Sequence, residues 1–207
     1  MSNSALIQLV ETIADNKYVL GDRLVEVGFS GPDVESTLAS VAMAQGELGH
    51  ARLLYNWGFT LNGIKGKKPE ITNETGKSFS EVRAIDGWVK LIANLYTVNV
   101  AMDVVMEAMM DSGDADIAAN INKLYLEHKE HCVFSEGWAL KLINDEGGVP
   151  KKFKEDLNQA LPEVEQWIKD VESNSELSNF VVQNNLVKRF QETIEQVKGE
   201  GAVTNVG

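Results

Sequence analysis

The chain has 207 residues, with 31 Asp and Glu against 19 Lys and Arg, for a formal charge of −12. That length suffices for one domain with a sizeable core, and shares of 43% hydrophobic and 24% charged residues exclude disordered, collagen-like and coiled-rod classes. The acid surplus argues against nucleic acid and against an anionic membrane surface, because binding phosphates needs clustered Lys and Arg. A single cysteine, Cys132, cannot close an internal disulfide, and the N-terminal segment has no basic region of the signal-peptide type. No continuous apolar run approaches the ~18 residues of a membrane span, so the expectation is a cytoplasmic protein without one.

Only four prolines occur (32, 69, 150 and 162), and the stretches between them carry helical periodicity, which predicts six helices and no strands. The first runs from about Ser4 to Val27 and stops at Gly28. The second opens with Pro32 at its first position and reaches about Leu61. Residues 62–78 form a polar loop rich in Gly and Lys, and Ser78 with Glu81 reads as a capping box. The third helix continues to Asp111, with a break at Asp86-Gly87. Asp114 caps a fourth that reaches about Asn144. A fifth follows Gly147-Gly148 to about Val171, with a kink at Pro162. The sixth spans about Leu177 to Lys198, and residues 199–207 are expected to fray. Two long antiparallel hairpins make a four-helix bundle of residues 4–145, with two further helices over 150–198, all within one domain of residues 1–207.

The informative residues are the polar ones in apolar seams. In the second helix, Met43, Glu47, His50, Leu54, Trp57 and Leu61 follow alternating steps of four and three, so Glu47 and His50 face the core. In the fourth, Ile117, Ile121, Leu124, His128, His131, Ser135, Trp138 and Leu142 share one seam, with Glu127 at its flank. The third reads Trp88, Ile92, Leu95, Asn99, Met102, Met106 and Met109, with Asp103 beside Asn99 and the methionines as core filling. The first reads Leu6, Val10, Ile13, then Asn16 and Lys17, then Leu20 and Leu24. At ~1.5 Å per residue, Asn16, Glu47, His50, Asn99, Glu127, His128 and His131 can meet in one central layer. A buried carboxylate among imidazoles needs mutual pairing or a cation, and Glu-x-x-His on facing helices is the di-iron carboxylate arrangement. Two explanations stay open, a present or ancestral metal site and a structural hydrogen-bond network.

The segment AMAQGELGHARLLYNWG (42–58) resembles the metal-binding helix of the phenylacetic acid catabolic proteins, the ferritin-like A and C components of phenylacetyl-CoA epoxidase. ADNKYVLGDRLVEVG in the first helix, with Asp15, Asn16, Arg23, Leu24 and Glu26, extends the likeness. So does EHKEHCVFSEGW in the fourth, with Glu127, His131, Phe134, Ser135, Gly137 and Trp138. The resemblance covers residues 5–145 well. It implies a ferritin-like bundle and a family whose catalytic subunit uses two irons and O₂ to epoxidise an aryl-CoA ring, beside a companion subunit that serves as scaffold. The catalytic pattern places Glu on the first and third helices and Glu-x-x-His on the second and fourth. Here Glu47 and His50 comply, His131 is kept, His128 replaces a Glu, and Asn16 and Asn99 stand where two other Glu belong. Asp15 lies on the opposite face and Asp103 a turn low.

The expected function is therefore a ferritin-like component of an aryl-CoA ring monooxygenase system with a partly degenerate di-iron site. The alternatives are a stand-alone mononuclear metalloprotein and a metal-free scaffold subunit. Glu47, His50, His131, His128 and Glu127 are the metal-ligand candidates, and iron is the metal the resemblance implies. A homologous ferritin-like subunit or a second copy is the expected partner. Val34, Leu38, Val41, Leu48, Tyr55 and Phe59 form a second apolar stripe on the second helix, covered either by the last two helices or by another subunit. Lys65, Lys67 and Lys68 offer contacts to a CoA thioester, although a solvated loop is the favoured reading. Cys132, in mid-helix, reads as a packed thiol.

Overall fold

In the computed structural model, which describes residues 4–203, no strand occurs among the described residues, and the all-α expectation is met. The helices are α1 (Ser4–Val27), α2 (Val34–Leu61), α3 (Ser80–Arg83), α4 (Trp88–Met110), α5 (Ala115–Ile143), α6 (Val149–Ser173) and α7 (Leu186–Val203). Short 3₁₀ turns at Gly28–Ser30 and Ser175–Leu177 complete the set. α1 packs along α2 and α4 along α5, and the two hairpins meet through α1–α4 and α2–α5. α6 and α7 lie on α4 and α5.

α1 buries Leu6, Leu9, Val10, Ile13, Leu20 and Leu24, one turn-by-turn stripe. Small residues set its distance to α2. A Cβ on Gly28 would stand 2.6 Å from the Ser40 Cβ, and one on Gly21 would stand 2.7 Å from the Leu48 Cγ. Any larger residue there would force the hairpin apart.

Several helix ends differ from expectation. Pro32 stands outside α2. Asp33 is the cap, its carboxylate accepting from the Ser36 N–H at 2.7 Å while Ser36 Oγ accepts from the Asp33 N–H. These hydrogen bonds hold the Asp33 carboxyl below its usual range. The Ser78–Glu81 box does not form. The Ser78 N–H instead donates to Glu74, and the Ser80 N–H and hydroxyl reach across to Glu163 of α6 at 2.7 and 2.6 Å. The break at Asp86-Gly87 is present, with Gly87 extended ahead of Trp88. Asp114 caps α5 as expected. α6 runs unbroken through Pro162. α7 begins at Leu186, nine residues later than the periodicity suggested, because Asn185 takes a left-handed conformation (φ 55°) and Glu172 accepts the Leu186 N–H at 2.8 Å. It extends to Val203, beyond the expected fraying point, and residues 204–207 lie outside the described residues.

α4 is the core helix, with 18 of its 23 residues buried, Met102, Met106 and Met109 among them. By length and mean hydropathy it is apolar enough to cross a membrane, although no continuous apolar run foretold this. In the bundle, 83% of the qualifying window is buried against α5, α6 and α7.

Candidate functional site

Four helices send polar side chains into the middle of the bundle. Lys17 comes from α1, Glu47 and His50 from α2, Asn99 from α4, and His128 and His131 from α5. The Lys17 ammonium donates to Glu47 Oε2 at 3.0 Å and to His128 Nδ1 at 3.1 Å. Lys17, Glu47 and His128 are each at most 1% exposed. An ammonium only donates and a carbonyl only accepts, which fixes the His128 tautomer. Its Nε2–H donates to the Asn99 carbonyl at 3.1 Å, and its Nδ1 lone pair faces Lys17.

The second oxygen of Glu47 accepts from His131 Nδ1 at 2.5 Å. Gly46 makes room for that ring, because a Cβ there would lie 2.7 Å from His131 Nε2. His131 stacks on His50 with ring centroids 5.2 Å apart. His50 in turn bonds through Nε2 to Glu127 at 3.0 Å, and Glu127 is 48% exposed and also faces Lys123. His50 Nδ1 is buried without a hydrogen-bond partner among the described residues. Two hydrogen-bonded groups, Glu127–His50 at the rim and His131–Glu47–Lys17 inside, thus meet through the stacked His50 and His131 rings.

Its electrostatics follow from burial and from Lys17. Burial alone would raise the Glu47 carboxyl, but the Lys17 charge and the His131 hydrogen bond outweigh it and hold the group far below the usual carboxylate range. Burial pushes His128 well below the ordinary imidazole value, with the Lys17 charge adding to the effect. The same two causes lower His50 to about 4. His50 and His128 are therefore neutral at pH 7, and the Glu47–Lys17 pair carries no net charge.

Glu47, His50, His128, His131 and Asn99 meet in one layer, as their seam positions predict. Asn99 donates to the His131 carbonyl and to Ser135 Oγ, both at 3.2 Å. Two of the expected members do not converge. Asn16, fully buried, turns its Oδ1 to the Phe79 N–H at 2.9 Å and holds the 62–79 loop. Glu127 stays at the rim. Asp103 pairs with Lys129 at 2.6 Å, and its carboxylate lies within 4.8 Å of ligand atoms of His128 and Cys132. Asp15, on the opposite face as expected, accepts from Tyr55 Oη, from the Thr75 N–H and hydroxyl at 2.9 Å, and from the Lys77 N–H at 2.7 Å. Sequence reasoning missed the role of Lys17. The signal was its place in the apolar seam between Ile13 and Leu20, where a lysine must find an internal anion.

Glu47, His128 and His131 offer ligand atoms that lie within 4.8 Å of one another, a set able in kind to hold a metal ion. As arranged, it does not fit iron. The His128 lone pair and one Glu47 oxygen are committed to Lys17. A divalent ion about 4 Å from an ammonium is repelled by about 8 kcal/mol at an effective dielectric of about 20. Two irons would also need more carboxylate than the single Glu47 supplies.

Around this centre, burial raises the Cys132 thiol to about 12, which fits a packed residue. The last two helices leave the first half of the second stripe of α2 uncovered, whereas its Tyr55 is buried and its Leu48 and Phe59 are half-buried. Val34, Leu38 and Val41 are 74%, 65% and 45% exposed, and Val25 and Phe29 lie bare at the same end of the hairpin. A cleft of about 890 Å³ opens between α1, α2 and the loop, lined by Tyr18, Arg52, Lys67 and Lys68 among others. Lys68 is turned back onto Thr60 and the Ile64 carbonyl.

Residues 1–204 match the family model described as phenylacetic acid catabolic protein. The chain is also similar to the C component of 1,2-phenylacetyl-CoA epoxidase from Escherichia coli (strain K12), at 25% identity over 151 residues. That alignment covers 71% of this chain and 61% of the relative, so the chain spans less than two thirds of the relative's length. The family match covers the helices that supply Lys17, Glu47, His128 and His131, and the chain belongs to the phenylacetic acid catabolic protein family.

Proposed function

We propose that this chain is a ferritin-like, non-catalytic partner subunit in an aryl-CoA ring monooxygenase of the phenylacetyl-CoA epoxidase type. The observation that carries this reading is the Lys17 ammonium, which sits against Glu47 and His128 where a metal would draw on the same two donors. The pair neutralises the bundle centre without an ion, so the centre serves cohesion between the hairpins. The likeness to the C component of an epoxidase supports the reading. So does the bare apolar end of the α1–α2 hairpin (Val25, Phe29, Val34, Leu38 and Val41), to which we assign a homologous ferritin-like subunit. To the cleft with Arg52 and Lys67 we assign the phosphates of the CoA thioester held by the assembly.

Coexpression with a catalytic homologue of the same family tests this directly. The two chains are expected to co-elute in size-exclusion chromatography with light scattering, and Leu38→Asp with Phe29→Asp should abolish co-elution while leaving helicity intact. Iron and turnover of phenylacetyl-CoA should follow the partner. One or more equivalents of iron on this chain alone, with turnover, would overturn the proposal.

A further inference from the structure

We infer that Lys17 is the gate of a latent divalent-cation site made by Glu47, His128 and His131. The inference deepens the metal-free reading of the centre given above. Three features of a metal site are already built apart from the ion. The donor atoms lie within 4.8 Å of one another. His128 donates its Nε2–H to the Asn99 carbonyl and aims its Nδ1 lone pair inward, the second-sphere arrangement by which proteins orient a ligating imidazole. Gly46 leaves the space that lets the His131 ring stand against Glu47. What fills the fourth place is the Lys17 ammonium, 3.0 Å from the carboxylate and 3.1 Å from the imidazole.

One substitution therefore separates this chain from a two-His, two-carboxylate site. A glutamate at position 17 has a side chain one atom shorter than lysine. Its carboxylate ends short of the present Nζ position and leaves that position to an ion, which Zn²⁺, Co²⁺ or Fe²⁺ would occupy with nitrogen and oxygen donors at about 2.0–2.2 Å. Ligation through His131 Nδ1 leaves that ring's proton on Nε2, and Glu47 exchanges the His131 hydrogen bond and the Lys17 ion pair for the metal bond.

The test uses Co²⁺ as the probe on the full chain. Wild type is expected to take up none on equilibrium dialysis and to show no change in its thermal midpoint. Lys17→Glu is expected to bind one equivalent at least about 100-fold more tightly than wild type, with visible d–d bands and a raised midpoint. Lys17→Glu with His131→Ala should lose the bands. If Lys17→Glu folds only with Co²⁺, metal-dependent folding is the positive result. Lys17→Ala, which frees the donors without adding a charge, should bind one equivalent more weakly. Uptake by wild type would overturn the inference. So would folded Lys17 variants that bind nothing, or a near-ultraviolet thiolate charge-transfer band, which would place the ion on Cys132. Each readout is independent of whether the chain assembles with a partner.

Discussion

Two fully buried charges sit two residues apart on α1, and they are satisfied in opposite ways. Asp15 faces the 62–79 loop and is held by a hydroxyl from Tyr55, a hydroxyl and an amide from Thr75, and the amide of Lys77, all of them neutral donors. Lys17 faces the bundle centre and is held by an ionised carboxylate and an imidazole lone pair from two other helices. The first node ties the loop to α1 and α2 through neutral hydrogen-bonding groups. The second ties three helices together through an ion pair whose members have no other means of neutralising their charge. Loss of a donor at Asp15 leaves a carboxylate that other donors still hold. Loss of a partner at Lys17 leaves a bare charge in a medium that cannot solvate it.

The sharpest way to break this comparison is to remove one acceptor from each node. Glu47→Ala strands the Lys17 ammonium and should destabilise the fold by about 3–5 kcal/mol, the cost typical of orphaning a buried charge. Adding Lys17→Met to Glu47→Ala should recover much of that loss, because the stranded charge is gone. Asp15→Ala removes several hydrogen bonds to neutral groups and should cost less, about 2–3 kcal/mol, with early proteolytic cleavage in the 62–79 loop. Denaturant unfolding of the three variants measures the ordering. An Asp15 variant less stable than the Glu47 variant would contradict the distinction.

The second test is pH, because the central node contains histidines and the named partners of Asp15 do not. His50 and His128 both have folded-state pKa values below the ordinary imidazole value. Near pH 6 the unfolded chain binds protons at both positions and the folded chain does not, so stability is full above about pH 6.5 and falls as pH drops. With two groups involved, the slope between about pH 6 and 5 should approach 2.5 kcal/mol per unit. The His50 share levels off near pH 4, where the folded protein also protonates that ring. The depressed Glu47 carboxyl adds a further loss below its unfolded value of about 4.5. His50→Gln should roughly halve the slope between pH 6 and 5. An unchanged slope in that variant would show that His50 is protonated in the fold.

The same contrast separates what is legible in the sequence from what only the folded chain decides. Heptad-like spacing placed Glu47, His50, His128, His131 and Asn99 in one layer because inward residues on long helices obey a fixed period. The two α1 residues were harder. Asn16 and Lys17 are neighbours in the same apolar stretch, and periodicity of 3.6 cannot decide which of two adjacent positions points to the centre and which to the loop. Only the loop settles it, since Asn16 caps the Phe79 amide and leaves Lys17 inside. The α7 start at Leu186 escaped for a related reason. It depends on a left-handed Asn185 and on Glu172 from another helix, neither of which leaves a periodic trace.

The smallest expected effect lies at the rim, where the polar cluster reaches solvent. Glu127 bonds to His50 at 3.0 Å but is half exposed and shares its charge with Lys123. Water screens such a pair, so Glu127→Gln should change stability by less than about 1 kcal/mol at pH 7. It acts on the ring more than on the fold. The glutamine removes a carboxylate that favours the protonated imidazole, so the His50 pKa should fall further below about 4. Proton NMR of the His50 ring during an acid titration can follow this shift. The expected result is a titration moved to lower pH with the backbone amide spectrum otherwise preserved. A shift to higher pH would show that Glu127 is not the group that favours the protonated His50 ring.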